Sequence, residues 1–513
     1  MEKRRNSKIL TYLTLFLIIL IGFYLRYLLV YKDDSFIFDE GFNFIQAQNS
    51  VRTLITGQYS DVPIHPPLHY LFLHFWSKLS VKEQVLRLPF VIFGTISIYL
   101  FFLVGKQFFK SSLYGLVAAF LYASSAFSIY YSAQVRYLQA LIMVGLLDFY
   151  FYLKAIETKR LKDWLIFGVF AGAALYLDYS VVWLLLIVNL HFLTFLFKKK
   201  WGRSQIKNWF IANFVIFLIF LPWLSIFFTN LPRSFEYTNY LGTPDFLSLI
   251  RLVVTFSSTG LGWIAEHVLS EGERVIYLLP ILLSFLLLVT LGKSFKSKEK
   301  EKTLLVFLFF VPLLLSFLIS QFSTKLFQDR NLAIVSIGVL LLVVSSLRFS
   351  PNLFTKIISA ISLTLFLATN LRSLTYLYNN RLGESWREPA LYLERELREN
   401  DTLVAHEGAN EWPMLYYLKY RHPYPFQENN ISLYSFEKGG RDRLFSSIMS
   451  GRYWLFGSSW EIDRDIGRLG PEGDFWLRFV AGARHWGFKE ERFRLIDKET
   501  IGGITIYEGY YSN

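Results

Sequence analysis

Two carboxylates stand side by side in the stretch Asp33-Asp34-Ser35-Phe36-Ile37-Phe38-Asp39-Glu40-Gly41, directly after a long apolar run. Asp39 and Glu40 are framed by Phe38 and Phe42. An apolar setting that withdraws water from a carboxylate raises its pKa and makes it a better base. The same pair suits the first turn of a helix, where acids meet the positive end of the dipole. Phe42, Ile45 and Asn49 follow at helical spacing, which predicts an amphipathic helix along a membrane surface.

Further on, Ile64-His65-Pro66-Pro67-Leu68 opens a short apolar segment ending near Leu79. Proline is compatible with the first turn of a helix, and His65, His69 and Tyr70 would then project near one another. Histidines at i and i+4 can ligate a metal, but no third ligand follows at fixed spacing. A structural or substrate-contacting role for His65 is the stronger reading. Arg136 is the only charge in the short turn after Tyr130-Tyr131 and before Tyr137. Its planar guanidinium suits bidentate binding of a phosphate, or snorkelling beside a tyrosine belt. Lys325 and Arg330, flanking Asp329, could hold a lipid phosphate or anchor helix ends. Asp178, in Asp178-Tyr179-Ser180, could accept hydrogen bonds from substrate hydroxyls or cap the helix that follows. Glu266-His267 is a weaker candidate of the same kind.

These charges are scarce. Of 513 residues, 53% are hydrophobic, 19% aromatic and only 18% charged, where soluble domains carry about a quarter. That excludes a soluble enzyme and a disordered chain. The absence of cysteine excludes thiolate catalysis, disulfides, Fe–S clusters and Cys-type zinc sites. A helix crossing the hydrocarbon core needs about 20 mostly apolar residues. Eleven runs qualify, near 9–30, 90–108, 113–132, 137–153, 164–180, 181–197, 209–228, 274–292, 303–322, 331–347 and 357–377.

Lysine and arginine mark cytoplasmic loops. If the segment from Pro67 to Leu79 does not cross, the inside segments hold 22 Lys+Arg against 5 Asp+Glu, and the outside ones 10 against 13. If it does cross, Lys198-Lys199-Lys200 faces outward. The first arrangement is the expected one: eleven spans, an inside N-terminus and an outside C-terminus. The net charge of +13 is then a topology signal and not a nucleic-acid surface. Asp148 is the only acid deep within an expected span, where it should be neutral or paired. Arg26 and Arg372 lie near outer helix ends, where snorkelling is expected.

The expected organisation is a mostly α polytopic bundle over 1–379, with outer loops 31–89 and 229–273, followed by a soluble extracytoplasmic α/β domain over 380–513. That last segment carries 18 basic and 21 acidic residues. Its pattern predicts a helix from Trp386 to Glu399 and strands at Thr402–Ala405, Tyr453–Phe456 and Ile504–Tyr507, with turns such as Gly439-Gly440. No internal repeat is visible, which gives an inverted-repeat transporter no support.

The order of an Asp-Glu pair after span one, a His-Pro-Pro-Leu segment, and an Arg-Tyr between spans three and four resembles the GT-C glycosyltransferases. The likeness covers roughly residues 9–347. Within that superfamily it is nearest the protein O-mannosyltransferases and the bacterial transferases that add aminoarabinose to lipid A. The resemblance implies a polyprenyl-phosphate-linked sugar as donor, attacked by an acceptor hydroxyl at the outer membrane face, with inversion in one displacement. It makes Asp39 the general base and Glu40 a residue orienting the site. Arg136, beside Tyr137, matches the arginine that holds the lipid phosphate. Arg330 is a weaker match to a late basic residue, and Lys325 weaker still. The C-terminal segment does not resemble the β-trefoil of eukaryotic O-mannosyltransferases, which puts a protein acceptor in doubt. No cofactor is implied with certainty; some members use a divalent cation at an Asp-x-Asp site, whose nearest counterpart here is Asp463-Arg464-Asp465. The alternative is a multi-span transporter or lipid flippase.

Overall fold

The computed structural model describes residues 2–32, 35–58, 65–237, 242–256, 299–323, 325–349, 352–380, 384–406, 411–421, 432–435, 444, 451–485 and 488–512. The chain forms two compact units. One comprises Met1–Lys32, Val51–Leu71 and Arg87–Asn380; the other comprises Asp33–Ser50, Phe72–Leu86 and Arg381–Asn513. The expected outer loop 31–89 is thus divided, with 33–50 and 72–86 joining the unit that contains the C-terminal segment.

The first unit is helical, as an apolar chain in lipid must be to satisfy its backbone internally. Among the described residues, seven of its helices are long and apolar enough to cross a membrane, and a bent pair makes up to eight. The expected eleven are not all found at that length, for reasons that differ from run to run. The run 164–180 yields α9, Leu161–Leu175, of only 15 residues. The run 331–347 yields α14, Ile334–Phe349, of 16. The run 274–292 lies outside the described residues, as do Asp33, Asp34, Glu266, His267, Gly439 and Gly440. The segment expected not to cross is α4, Leu68–Trp76, nine residues long. At 1.5 Å per residue that is about 14 Å, half a bilayer core.

Small residues allow close helix packing in this unit. On α9, Gly168 and Gly172 lie four apart on one face of the helix. A Cβ at Gly168 would stand 2.8 Å from the Ala212 carbonyl oxygen, and one at Gly172 2.9 Å from the Ile219 side chain. Both neighbours belong to α11, Arg203–Tyr237. Asp148 is fully buried in α8, Leu138–Thr158. Neither of its carboxyl oxygens has a hydrogen-bond partner, so the pairing that was one of its two expectations is absent among the described residues.

The expected span 113–132 is broken. Helix α6, Ser112–Ala123, and helix α7, Ala126–Ser132, meet at 58°. Such a break frees carbonyls at the end of one helix and N–H groups at the start of the next. Arg26, on α1, Glu2–Lys32, answers the first need. Its guanidinium donates to the carbonyls of Gly22 (2.8 Å), Ala123 (3.2 Å) and Tyr122 (3.3 Å), and to the hydroxyls of Ser128 (2.6 Å) and Ser132 (3.1 Å). The Asn370 side-chain oxygen answers the second, accepting from the Ala126 N–H at 3.0 Å. Arg26 is therefore not snorkelling: it is 0% exposed, drawn inward because the break offers it more acceptors than the interface does. Arg372 is exposed.

The second unit contains a five-stranded sheet in the order β2-β1-β3-β5-β4. Strands β1 (Thr402–Ala405), β2 (Ser432–Ser435) and β3 (Gly451–Ser458) run parallel. Strand β5 (Ile504–Tyr511) pairs antiparallel with β3 and with β4 (Phe493–Ile501). The turn between β4 and β5 is Gly502-Gly503, both at positive φ, as a tight hairpin of matching twist requires. Val404, Tyr453, Leu455, Phe475, Phe479 and Tyr507 form the core. The expected helix and three strands are present. Strand β4 was not anticipated, because nearly every side chain in it is exposed and its charges are those of a protected edge.

Glu384, in this unit, accepts a hydrogen bond from Ser458 Oγ. Burial pushes its carboxyl up to about 7, with Glu461 acting the same way and Ser458 opposing. A carboxyl raised on folding from 4.5 holds its proton more tightly in the native state. Its contribution is therefore full at acid pH and is lost as pH rises through about 7. Glu384→Gln is expected to flatten the fall in unfolding midpoint between pH of about 5 and about 7.5; an unchanged slope would assign that fall to another group.

Candidate active site

In the second unit, the acidic pair opens helix α2, Phe38–Ala47. The Ile37 N–H donates to Glu40 Oε at 3.1 Å, while the Glu40 and Gly41 N–H groups donate to the Ile37 carbonyl, each at 3.1 Å. Glu40 is fully buried and serves as the helix cap; Asp39 beside it is half-buried. The expected helix is present; the face it buries within the unit carries Glu40, Asn43, Phe44 and Ala47, while Phe42, Ile45 and Asn49 are half-buried. The reason is an aromatic cluster elsewhere in the same unit. Phe44 meets Tyr416 and Tyr420 edge-on at 4.9 and 5.3 Å, and Phe36 stacks on Tyr416 at 4.2 Å. Gly41 is required there, since a Cβ would lie 2.6 Å from the Pro413 backbone. At the far end, His74 Nδ1 lies 2.8 Å from the Ala47 carbonyl oxygen.

In the helical unit, the other candidates gather into one cluster. The Leu68 N–H donates to the Tyr176 carbonyl at 2.9 Å, tying the start of α4 to the end of α9. His65 Nδ1 then lies 3.7 Å from Asp178 Oδ2. Asp178 also accepts from the Ser180 N–H at 2.9 Å, so its capping role is real and coexists with the histidine contact. Burial alone would raise the Asp178 carboxyl, but the His65 contact and the Ser180 hydrogen bond outweigh it and hold the pKa below the usual value. The Tyr137 ring lies 6.0 Å from His65 and 6.1 Å from His69.

Arg136 is buried, with its guanidinium 5.6 Å from the centre of the Tyr131 ring. Tyr131 in turn donates to Asp329 Oδ2 at 2.8 Å. Asp329 thereby brings the loop of Lys325 and Arg330 to the same end of the unit. Lys325 Nζ donates to the Ser320 carbonyl at 2.7 Å, in the last turn of α13, Glu299–Phe322. That is the helix-anchoring role, favourable at a C-terminus. Arg330 Nε donates to Gln328 at 2.7 Å. Arg136, Tyr137, His65 and Asp178 are thus neighbours, whereas Asp39 and Glu40 belong to the second unit.

Two residues of this cluster were not among the expected site residues. His69 was visible only as the i+4 partner of His65. Tyr131 carried no signal beyond its place in a tyrosine-rich turn. Among the described residues no group of three His, Asp or Glu side chains could hold a metal, so they offer no donor set for the divalent cation that the resemblance left open. What the cluster offers is a buried guanidinium, an imidazole–carboxylate pair and two phenols at the ends of apolar helices. That set can hold an anionic headgroup whose tail stays in lipid.

Residues 64–226 match the family described as dolichyl-phosphate-mannose-protein mannosyltransferase. The fold is similar to that of ArnT from Cupriavidus metallidurans in the apo state (12% identity, 98% of each chain covered, TM-score 0.53). Its similarity to ArnT bound to undecaprenyl phosphate is comparable (11% identity, 97% of each chain, TM-score 0.55). The apo oligosaccharyltransferase of Archaeoglobus fulgidus also matches (11% identity, 92% of this chain and 72% of that one, TM-score 0.54). No curated protein matches the chain in sequence. The fold is shared with ArnT and with the archaeal oligosaccharyltransferase, and the chain is an integral membrane protein.

Proposed function

We propose that this chain transfers a sugar, hexosyl or pentosyl, from a polyprenyl-phosphate donor to an acceptor hydroxyl at the outer face of the membrane, with inversion. The observation that carries the reading is the buried Arg136 with Tyr131, Tyr137, His65 and Asp178 around it, within a GT-C fold. The acceptor oxygen attacks the anomeric carbon as the bond from that carbon to the phosphate oxygen breaks. Asp39 takes the hydroxyl proton, and polyprenyl phosphate leaves with its negative charge met by Arg136. A fixed cation is most effective where charge grows in the transition state. Glu40 acts by capping the turn that carries Asp39. His65 and Asp178 contact the donor, and Arg330 assists from the neighbouring loop. Lys325, occupied at a helix end, is the weakest of the expected contacts.

With the basic loops inside, the N-terminus is cytoplasmic and the C-terminal segment extracytoplasmic. The donor is a lipid-linked sugar; the acceptor is a lipid, a glycan or a protein. Nothing in the likenesses favours a transporter or flippase. The test is release of free polyprenyl phosphate from a panel of polyprenyl-phosphate sugars by the purified protein in lipid. Release that depends on Asp39 is expected for one donor. Absence of release, together with wild type and Arg136→Ala being equally unable to bind any lipid-linked sugar, would overturn the reading in favour of the transporter.

A further inference from the structure

We infer that His69 is a further donor-binding residue of this site, presenting its Nε2–H to an oxygen of the lipid-linked phosphate held by Arg136. The inference rests on the proposed function and adds to it a residue that neither the motif nor the family match assigns. His69 lies on α4, four residues after His65, and the charges of His65, Arg136 and Asp178 all act on it. It is 3% exposed, and its walls are aromatic: Tyr70 at 5.5 Å, Phe90 at 5.7 Å and Tyr137 at 6.1 Å. Among the described residues its buried Nε2 has no hydrogen-bond partner.

Buried polar atoms in native proteins are almost always paired, and an unpaired one is a departure that calls for a cause. A phenylalanine would fill an aromatic box of this kind without leaving any polar atom unmet. The imidazole earns its place only if something arrives to meet Nε2. Burial, helped by the charges of His65 and Arg136 and opposed by Asp178, lowers its pKa to about 3. The ring is therefore neutral at working pH, with one N–H to give. An anionic oxygen neutralised mainly by Arg136 is a suitable acceptor for it. A neutral donor adds a directional contact without a second buried cation.

The experiment uses full-length protein in lipid nanodiscs, with undecaprenyl phosphate as probe, and compares wild type, His69→Phe, His69→Asn and Arg136→Ala. His69→Phe is expected to unfold at the same temperature as wild type or higher. Its affinity should fall roughly ten- to hundredfold, the range for one hydrogen bond to a charged group. His69→Asn, which keeps an N–H, is expected to recover part of the loss. Wild-type affinity in His69→Phe would overturn the inference. So would a lowered unfolding temperature in both His69 variants with affinity falling in step, which marks a structural role. If wild type itself binds the probe no better than Arg136→Ala, the proposed function fails first and the inference fails with it. Binding that needs Arg136 and ignores His69 sinks the inference alone.

Discussion

Asp39→Asn is expected to lower the turnover number by roughly 10²–10⁴-fold, the usual worth of a positioned general base, with donor affinity and fold unchanged. Asn has the shape of Asp and keeps a side-chain oxygen, so the first turn of α2 is disturbed only by the loss of one charge. Near a helix N-terminus that charge contributes about 0.3–1 kcal/mol, too little to unfold the unit. The Glu40 cap, the Phe44 contacts and the close approach of Gly41 to Pro413 do not involve the Asp39 carboxylate. Single-turnover release of polyprenyl phosphate, beside equilibrium donor binding, separates the two effects. A variant within about threefold of wild type in the chemical step would remove Asp39 from the mechanism.

The second large effect belongs to a residue with no place in the chemistry. Arg26→Met keeps most of the apolar stem and removes five hydrogen bonds. The carbonyls of Tyr122 and Ala123, freed by the helix break, are then left without this donor in a buried place. Leaving buried carbonyls without a donor costs about 1–3 kcal/mol each, a large part of the stability of most proteins. A fall of many degrees in unfolding temperature is expected, with early proteolysis near the α6–α7 junction. Arg26→Lys should fall between, because an ammonium cannot span acceptors fixed by a planar fork. Since α7 carries Tyr131 and leads into Arg136, donor affinity should fall with stability. An unfolding temperature within a degree or two of wild type would mean that another group satisfies the junction.

The contrast between these two residues shows what the sequence could and could not tell. The place of Asp39 and Glu40 in the first turn of α2 was legible because an acidic pair between phenylalanines at the start of a helical spacing is a local pattern, and the capping of α2 is local too. Asp178 as a cap and the strand at Thr402–Ala405 were legible on the same grounds. Arg26 was not, because four of its five partners lie about a hundred residues away. Nothing in the apolar run 113–132 announces a break at Ser124-Ser125, so no reason appeared for an arginine to turn inward. The shortness of α9 was hidden for a similar reason. Composition continues apolar through Tyr176 and Leu177, but the chain has already left α9, with Asp178 capping the next turn. His69 looked like half a metal site in sequence, and only its packing shows an aromatic box around an unmet nitrogen.

The shortness of α9 has a consequence for the lipid itself. Fifteen residues rise about 22 Å, against a hydrocarbon core of about 30 Å, and Leu161 and Val169 are exposed along its length. The mismatch is relieved when the bilayer thins beside it, at a cost of a fraction of a kcal/mol per ångström. Water and headgroups then dip towards the turn that holds Asp178 and His65. A phosphate carried on a long isoprenoid meets them without being lifted out of the membrane, and a thinner membrane suits this protein better than a thick one.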